Sequence, residues 1–498
     1  MAALWRKKGW CEQEQSHTIP VNRIGRIIDT MLDTVSRTDL PKPRTRTEQV
    51  MDLVRQRIER RMLVPGARLP SVRAMAESSG FSKSTIVEAY DRLAAEGVIR
   101  ARAGAGFYVS SPLAPLALCE TEAMDERDID PVWLLRQCSD DREGVINAGS
   151  GTLPQDWLAQ DSMRKALRGA ARELPSGVMS DFLGYEPMRM LLSRRMAEQG
   201  VEASPDQILL TDSGTQALDL VCRFLLQPGD TVLLDDPCFF NFVALLRAHR
   251  VRAVSVPMTP QGPDLAAFAQ VVQRERPRLY ITNSAVHNPT GATLSATHVH
   301  RVLKIAAEAD MVIVEDDIFA DFELETSPRY ASFDGLERVI RIGSLSKTAS
   351  TAIRCGHIAL RPDWVMPLAD LRVVTAYMGN PLGAQLLVTM LTDGTYRHHM
   401  ETLRRRLARA RAKVGARLTG LGLRLWCEPQ AGMSLWAQLP DGMDAAALAR
   451  AAAREQIVLA PGVVFSPSGV WQDYLRINAV HGDNERFFAF LAKACAAR

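Results

Sequence analysis

Two periodicities divide this chain. From Thr47 to about residue 110 the apolar positions recur at helical spacing. Val50, Leu53, Val54 and Ile58 share one face of a helix expected over 47–61. Pro70 and Ser71 suit a second helix start, to which Val72, Met75 and Ala76 give an apolar side. Gly80 and Phe81 make a turn, and Ser82 caps a third helix over 83–96 with Ile86, Val87, Tyr90 and Leu93 pointing inward. Gly97 ends it. Residues 98–102 and 107–110 then read as a hairpin around Ala103-Gly104-Ala105-Gly106. From about 145 onward short apolar runs (QILLTDSG, DTVLLDDP, RLYITNS, MVIVEDD, RVIRIGS) alternate with helical stretches. That alternation predicts an α/β domain built on a largely parallel sheet.

Polar stretches separate these blocks. Residues 1–45 are basic and polar and read as a disordered extension; 111–143 carry prolines, then acidic residues, and read as a linker. This leaves a module over 46–110 and a body over 144–498. The body divides into a large part at about 190–370 and a small part at about 144–189 and 371–498. The 498 residues exceed one ordinary core. A hydrophobic share of 47% and a charged share of 23% describe a globular chain. The net charge of +3 points to no partner, but arginine and lysine crowd the first hundred or so residues. The eight cysteines are scattered, with neither a CxxC pair nor zinc spacing, as expected of reduced thiols in the cytoplasm. The first residues lack the apolar run of a signal peptide, and no stretch approaches a membrane span.

The third helix of the N-terminal module begins Lys83-Ser84-Thr85, short and polar with one cation. Such a helix end suits entry into a major groove, where N-terminal residues meet bases and phosphates. Any three-helix bundle shares the apolar pattern. The string LPSVRAMAE…FSKSTIVEAYDRLAAEGVIRARAGAGFYV, however, resembles the winged helix-turn-helix of GntR-type bacterial regulators along its whole length. The resemblance implies DNA contacts by Arg73, Ser82, Lys83, Ser84, Thr85, Arg102 and Gly104. Val87 stands where some relatives carry a base-reading arginine.

In the body, Ser344-Leu345-Ser346-Lys347 followed by Arg354 offers an amine beside hydroxyls and a guanidinium, a set that can hold a phosphorylated aldehyde covalently. Asp316 closes the strand run MVIVEDD, where a carboxylate can keep a pyridine nitrogen protonated. Thr211-Asp212-Ser213-Gly214-Thr215-Gln216 joins a strand to a helix and offers a phosphate seat at the helix N-terminus. Phe239 follows a strand, where it can stack on a flat ring or simply fill the core. Asn288, in His287-Asn288-Pro289-Thr290-Gly291, either donates to a phenolic oxygen or belongs to a turn. Arg476, in a short strand, can clamp a carboxylate or lie on the surface.

The order of these motifs resembles fold type I pyridoxal phosphate (PLP) enzymes, the aspartate aminotransferase superfamily, over about 145–498. The resemblance implies an α/β transferase fold with large and small domains. Lys347 would be the Schiff-base lysine and base, and Asp316 the pyridine-nitrogen partner. Asn288 would be the phenolic-oxygen ligand and Phe239 the stacking aromatic. Ser213, Gly214, Thr215, Ser344 and Arg354 would hold the phosphate, and Arg476 the substrate carboxylate. One position departs from the pattern: Phe319 stands where aminotransferases usually place a tyrosine that donates to the phenolic oxygen.

A GntR-like head on an aminotransferase-like body resembles the MocR branch of bacterial regulators. That implies a PLP-dependent, DNA-binding homodimer responsive to PLP or an amino compound, with double-stranded operator DNA as partner. The alternative is a working aminotransferase with a secondary DNA module. Every main catalytic group for it is present, and Phe319 tilts the balance towards regulation.

Overall fold

The computed structural model describes residues 45–59, 63, 66–102, 106–109, 129–138, 144–171, 181–377, 379–440 and 442–496, in two compact units divided near Ala114. All but the last residue of the expected extension over 1–45 lies outside the described residues, as does most of the expected linker.

The first unit has helices α1 (Arg46–Glu59), α2 (Val72–Ser79) and α3 (Lys83–Ala95), then strands β1 (Ile99–Arg102) and β2 (Gly106–Val109). Val50, Val54, Met75, Ile86, Ala89, Tyr90, Leu93, Ile99 and Val109 form its core. Tyr90 ties three pieces together: its hydroxyl donates to Pro70 O at 3.0 Å, and its ring meets Phe107 edge-on at 5.1 Å. The strands pair antiparallel, Ile99 opposite Val109 and Arg102 opposite Gly106. Val87 corrects the sequence reading. It is 43% exposed, and Ala89 takes the inward place. Positions 86, 89, 90 and 93 share one helical stripe, and 87 lies one step of about 100° off it.

The second unit opens with α4 (Pro131–Cys138), inside the stretch expected to be linker. Pro131 stands at the first helical position, and Asp130 Oδ1 accepts the Trp133 N–H at 2.7 Å, a local helix start. Then come α5 (Gln160–Ala170), α6 (Glu186–Ala197), β3 (Ile208–Thr211), α7 (Gly214–Leu225), β4 (Thr231–Asp236), α8 (Phe240–Ala248), β5 (Arg252–Thr259), β6 (Gly262–Pro263), α9 (Leu265–Glu275), β7 (Leu279–Thr282) and α10 (Ala296–Glu308). The chain continues through β8 (Val312–Asp316), α11 (Tyr330–Asp334), β9 (Val339–Ser344), β10 (Gly356–Ala359), α12 (Pro362–Ala376), α13 (Pro381–Leu391) and α14 (Gly394–Gly420). Last are β11 (Arg424–Leu425), β12 (Ser434–Gln438), α15 (Ala445–Arg454), β13 (Ala460–Pro461), β14 (Tyr474–Asn478) and α16 (Glu485–Ala496).

Eight strands form one sheet in the order β3-β10-β9-β8-β7-β4-β5-β6. The pairs β4–β5, β4–β7, β7–β8 and β8–β9 are parallel, and β10 runs antiparallel to both neighbours. The strands read as unbroken apolar runs because helices cover both faces. Alternate residues feed opposite cores: Leu233 and Tyr280 enter one, Val232, Leu234 and Ile281 the other. Helices α5 and α13, assigned from sequence to the smaller part, bury Ala166 and Leu387 in the core of this sheet. A second, antiparallel sheet, β11-β12-β14-β13, packs against α15 and α16. Helix α14 serves both cores, giving Leu403 and Leu407 to the first and Val414 and Leu418 to the second.

Candidate functional site

Strands β3, β8 and β9 end side by side, and their last residues present polar groups beyond the sheet. Asp316 ends β8 opposite Ile342, and Ser344 ends β9 opposite Gly356. A cavity of about 190 Å³ lies there. Its walls bring together Ser213, Gly214, Thr215, Phe239, Asp316, Ser344, Lys347 and Arg354. Every cofactor residue expected from sequence is among them except Asn288.

One end of the cavity suits an anion. The N–H groups of the first turn of α7 have no partner within their helix, and Arg354 and the hydroxyls of Ser344 and Ser346 stand beside them. Ser213 plays a different part from the one expected of its side chain: Oγ accepts the Gln216 N–H at 3.0 Å and caps α7. The turn also needs Gly356 on the neighbouring strand, where a Cβ would lie 2.4 Å from the Ser213 carbonyl carbon.

The other groups are tuned by burial. Asp316 accepts the Ile318 N–H at 3.2 Å, yet desolvation pushes its carboxyl up to about 7. A cationic N–H donor placed against it would restore the charged form. Lys347 is brought down to about 8 by desolvation and then by the Arg476 charge, and its Nζ donates to Gly151 O at 2.8 Å. A neutral amine is the nucleophilic form. A buried carboxylate, an enclosed amine, an aromatic wall and an anion seat around one cavity fit a flat pyridine aldehyde with a phosphate tail.

Arg476 lies next to this set, 2% exposed. Nη2 donates to Gly149 O at 2.6 Å and Nη1 to Asn288 Oδ1 at 2.9 Å, and Nε has no partner. The guanidinium carbon stands 4.8 Å from the Phe465 ring centre. Burial brings Arg476 down to about 10. Asn288 is thus joined to the expected carboxylate arginine, and both lie beside the Lys347 cavity through Gly149–Gly151. Phe319 is buried beside Phe322, ring centres 6.1 Å apart, and the neighbouring Ile318 lines the cavity.

Sequence reasoning missed the Gly149-Ser150-Gly151-Thr152 stretch that carries these carbonyls. A run of four small residues after an apolar pair was its only signal. It also missed Cys138 on α4, whose Sγ donates to Gly149 O at 3.7 Å, the same acceptor as Arg476. Burial pushes this thiol up, against the opposite pull of Arg476 and Lys347.

In the first unit, Ser82, Lys83 and Ser84 are exposed at the start of α3, with Thr85 half-buried behind them. Ser82 Oγ accepts the Thr85 N–H at 3.2 Å. Arg73 on α2 is exposed and pairs with Glu77 at 3.2 Å. The Arg102 side chain and Gly104 lie outside the described residues.

Two families match the chain. Residues 143–491 match aminotransferase class I and II, and residues 46–109 match the bacterial regulatory proteins of the gntR family. The uncharacterized HTH-type transcriptional regulator YdcR of Escherichia coli is 28% identical over 453 residues, covering 88% of this chain and 96% of that protein. The 2-aminoadipate transaminase of Thermus thermophilus is 28% identical over 69% of this chain and 87% of its own length. The structure of LysN, the alpha-aminoadipate aminotransferase of T. thermophilus complexed with N-(5'-phosphopyridoxyl)-L-leucine, superposes with a TM-score of 0.64. It shares 26% identity over 71% of this chain and 93% of that one. No described helix is long and apolar enough to cross a membrane.

Proposed function

A chain that belongs to the class I and II aminotransferase family and carries a gntR-family DNA-binding domain is a transcriptional regulator of the MocR type, and from that premise we propose that it binds PLP at Lys347 and answers an amino compound. One observation carries the reading: an amine brought down to about 8 stands in a cavity between a buried carboxylate and an anion seat. The pyridoxyl ligand of the Thermus aminotransferase supports it.

When bound, the cofactor supplies an electrophilic carbon and an electron sink. Lys347 offers the neutral amine, and Asp316 holds a proton at the ring nitrogen. The first turn of α7, Ser344 and Arg354 hold the phosphate. Phe239 covers a ring face, and Asn288 orients Arg476. Arg476 then takes the carboxylate of the incoming amino compound. The effector shifts DNA affinity only as far as it prefers one shape of the body over another. Phe182, Val374 and Tyr377 leave apolar surface exposed, which favours a homodimer, as a repeated or palindromic operator requires.

The test is a titration of PLP-loaded protein with amino acids, followed by visible absorbance and operator affinity together. An amino acid that changes both supports the proposal. Arg476→Ala weakens carboxylate-bearing amines by about 2 kcal/mol, some thirtyfold, and leaves PLP bound. Loss of PLP instead makes the arginine structural. A second reading, catalytic transamination, rests on the presence of Lys347, Asp316 and Arg476 in one place. Many turnovers with amino acid and 2-oxoacid pairs would establish it.

A further inference from the structure

A second, larger hollow lies behind the loop that carries Asp316. It measures about 480 Å³, with walls from α6, the 320–326 stretch and the first half of α14. The two cavities share one loop: Asp316 and Ile318 line the first, and Ala320, Asp321 and Leu324 line the second. On its floor Asp321 pairs with Arg195, accepts Thr348 Oγ1 at 3.2 Å, and accepts Arg404 Nε on its main-chain oxygen at 2.8 Å. Thr348 directly follows Lys347. The floor of the hollow therefore reaches the lysine through one hydrogen bond and one peptide link.

Two groups on this floor are unused. Arg195 is answered by Asp321, but Arg404 has no carboxylate within ion-pair distance among the described residues, so one positive charge is left over. Tyr396 is only 2% exposed. Its hydroxyl, beside Thr348, makes no hydrogen bond of ordinary geometry among the described residues, a costly arrangement when empty. Leu191, Leu324, Leu391 and Met400 make the remaining wall apolar. Glu198 and Glu401 are exposed among the lining residues, where they repel polyanions.

We infer that this hollow binds a small monocarboxylate with an apolar body. Its carboxylate sits on Arg404 and the Tyr396 hydroxyl, and its chain lies along Leu191, Leu391 and Met400. One anionic group balances the one spare charge and fills the one unmet donor. The site is separate from Arg476 and goes beyond the proposed cofactor role. A ligand there bears on the Asp316 loop and, through Asp321 and Thr348, on Lys347.

The experiment titrates 4-methylpentanoate into the full chain by calorimetry, in wild type and in an Arg476→Ala background that removes the other carboxylate arginine. Binding of one acid per chain is expected to survive Arg476→Ala. It weakens about tenfold in Arg404→Gln and severalfold in Tyr396→Phe, with far-UV circular dichroism verifying that each variant folds. The inference is overturned by the absence of binding, by binding indifferent to Arg404→Gln and Tyr396→Phe, or by binding lost with Arg476→Ala. Equally tight binding of inorganic phosphate would overturn the stated ligand chemistry.

Discussion

Lys83 and Lys347 are the same residue put to opposite uses by their surroundings. Lys83 stands exposed at the start of α3, a hydrated point charge with no nearby wall. Lys347 is half-buried by surface area yet fully desolvated at its amine, which brings it down to about 8. The exposed lysine can act only through charge, an action that salt screens. The enclosed one can act as a nucleophile, and salt should scarcely touch it. The head of this regulator therefore works by long-range electrostatics and the body by short-range chemistry.

The sharpest way to break that contrast is to remove the enclosed amine. Lys347→Ala is expected to abolish covalent retention of PLP completely, leaving only weak reversible uptake at the phosphate seat. Borohydride reduction of the loaded wild-type protein should fix the cofactor to one peptide containing Lys347, read by mass spectrometry. Label on any other lysine refutes the assignment.

The next effect belongs to the exposed site. Each phosphate contact contributes about 0.9 to the slope of log affinity against log salt. Replacing both Lys83 and Arg102 by alanine should lower that slope by about 1.8 and weaken operator binding most at low salt. The same pair should leave the visible spectrum of the PLP-loaded protein unchanged. An unaltered slope would place the DNA surface elsewhere on the molecule.

The two regions also differ in how far the sequence discloses them. In the head, function depends on what stands at a helix start, so Ser82-Lys83-Ser84-Thr85 could be read directly. The error there, Val87, was one of stripe, not of element. In the body, Asp316, Ser344 and Lys347 were legible because strand ends announce themselves: an apolar run stops and a polar group follows. The Gly149–Thr152 carbonyls were not, because main-chain acceptors leave no trace in residue type. The role of Cys138 was hidden for another reason. Its helix lies in a stretch whose neighbouring prolines and acids suggested a linker, and only packing in three dimensions carries the thiol to Gly149. Asn288 was read as a ligand of the cofactor oxygen, and the structure adds its bond to Arg476, some 190 residues away in the chain.

A smaller effect sharpens the account of Lys347. Its amine is held down first by desolvation and second by Arg476, both of which disfavour the protonated form. The rate of PLP uptake by apoprotein should therefore rise with pH, pass its midpoint near 8 and level off above it. An exposed lysine would not level off until about 10.4. Arg476→Ala removes a repelling charge, so the midpoint should move up. A midpoint that stays put would mean that desolvation alone sets it.

The smallest effect asks whether the head's recognition end is also its weak point. Ser82 has two jobs: Oγ accepts the Thr85 N–H, capping α3, and the residue stands exposed where DNA would approach. Ser82→Ala should destabilise the head by about 1 kcal/mol through the lost cap, seen as a lower melting temperature of its transition. Serine is uncharged, so the salt slope of operator binding should remain that of wild type even if affinity falls slightly. Ser82→Gly separates the jobs, because glycine is a tolerable cap but offers no hydroxyl to a phosphate. If Gly restores stability and DNA affinity together, the hydroxyl serves the helix alone. If stability returns and affinity does not, Ser82 joins Lys83 as a direct contact.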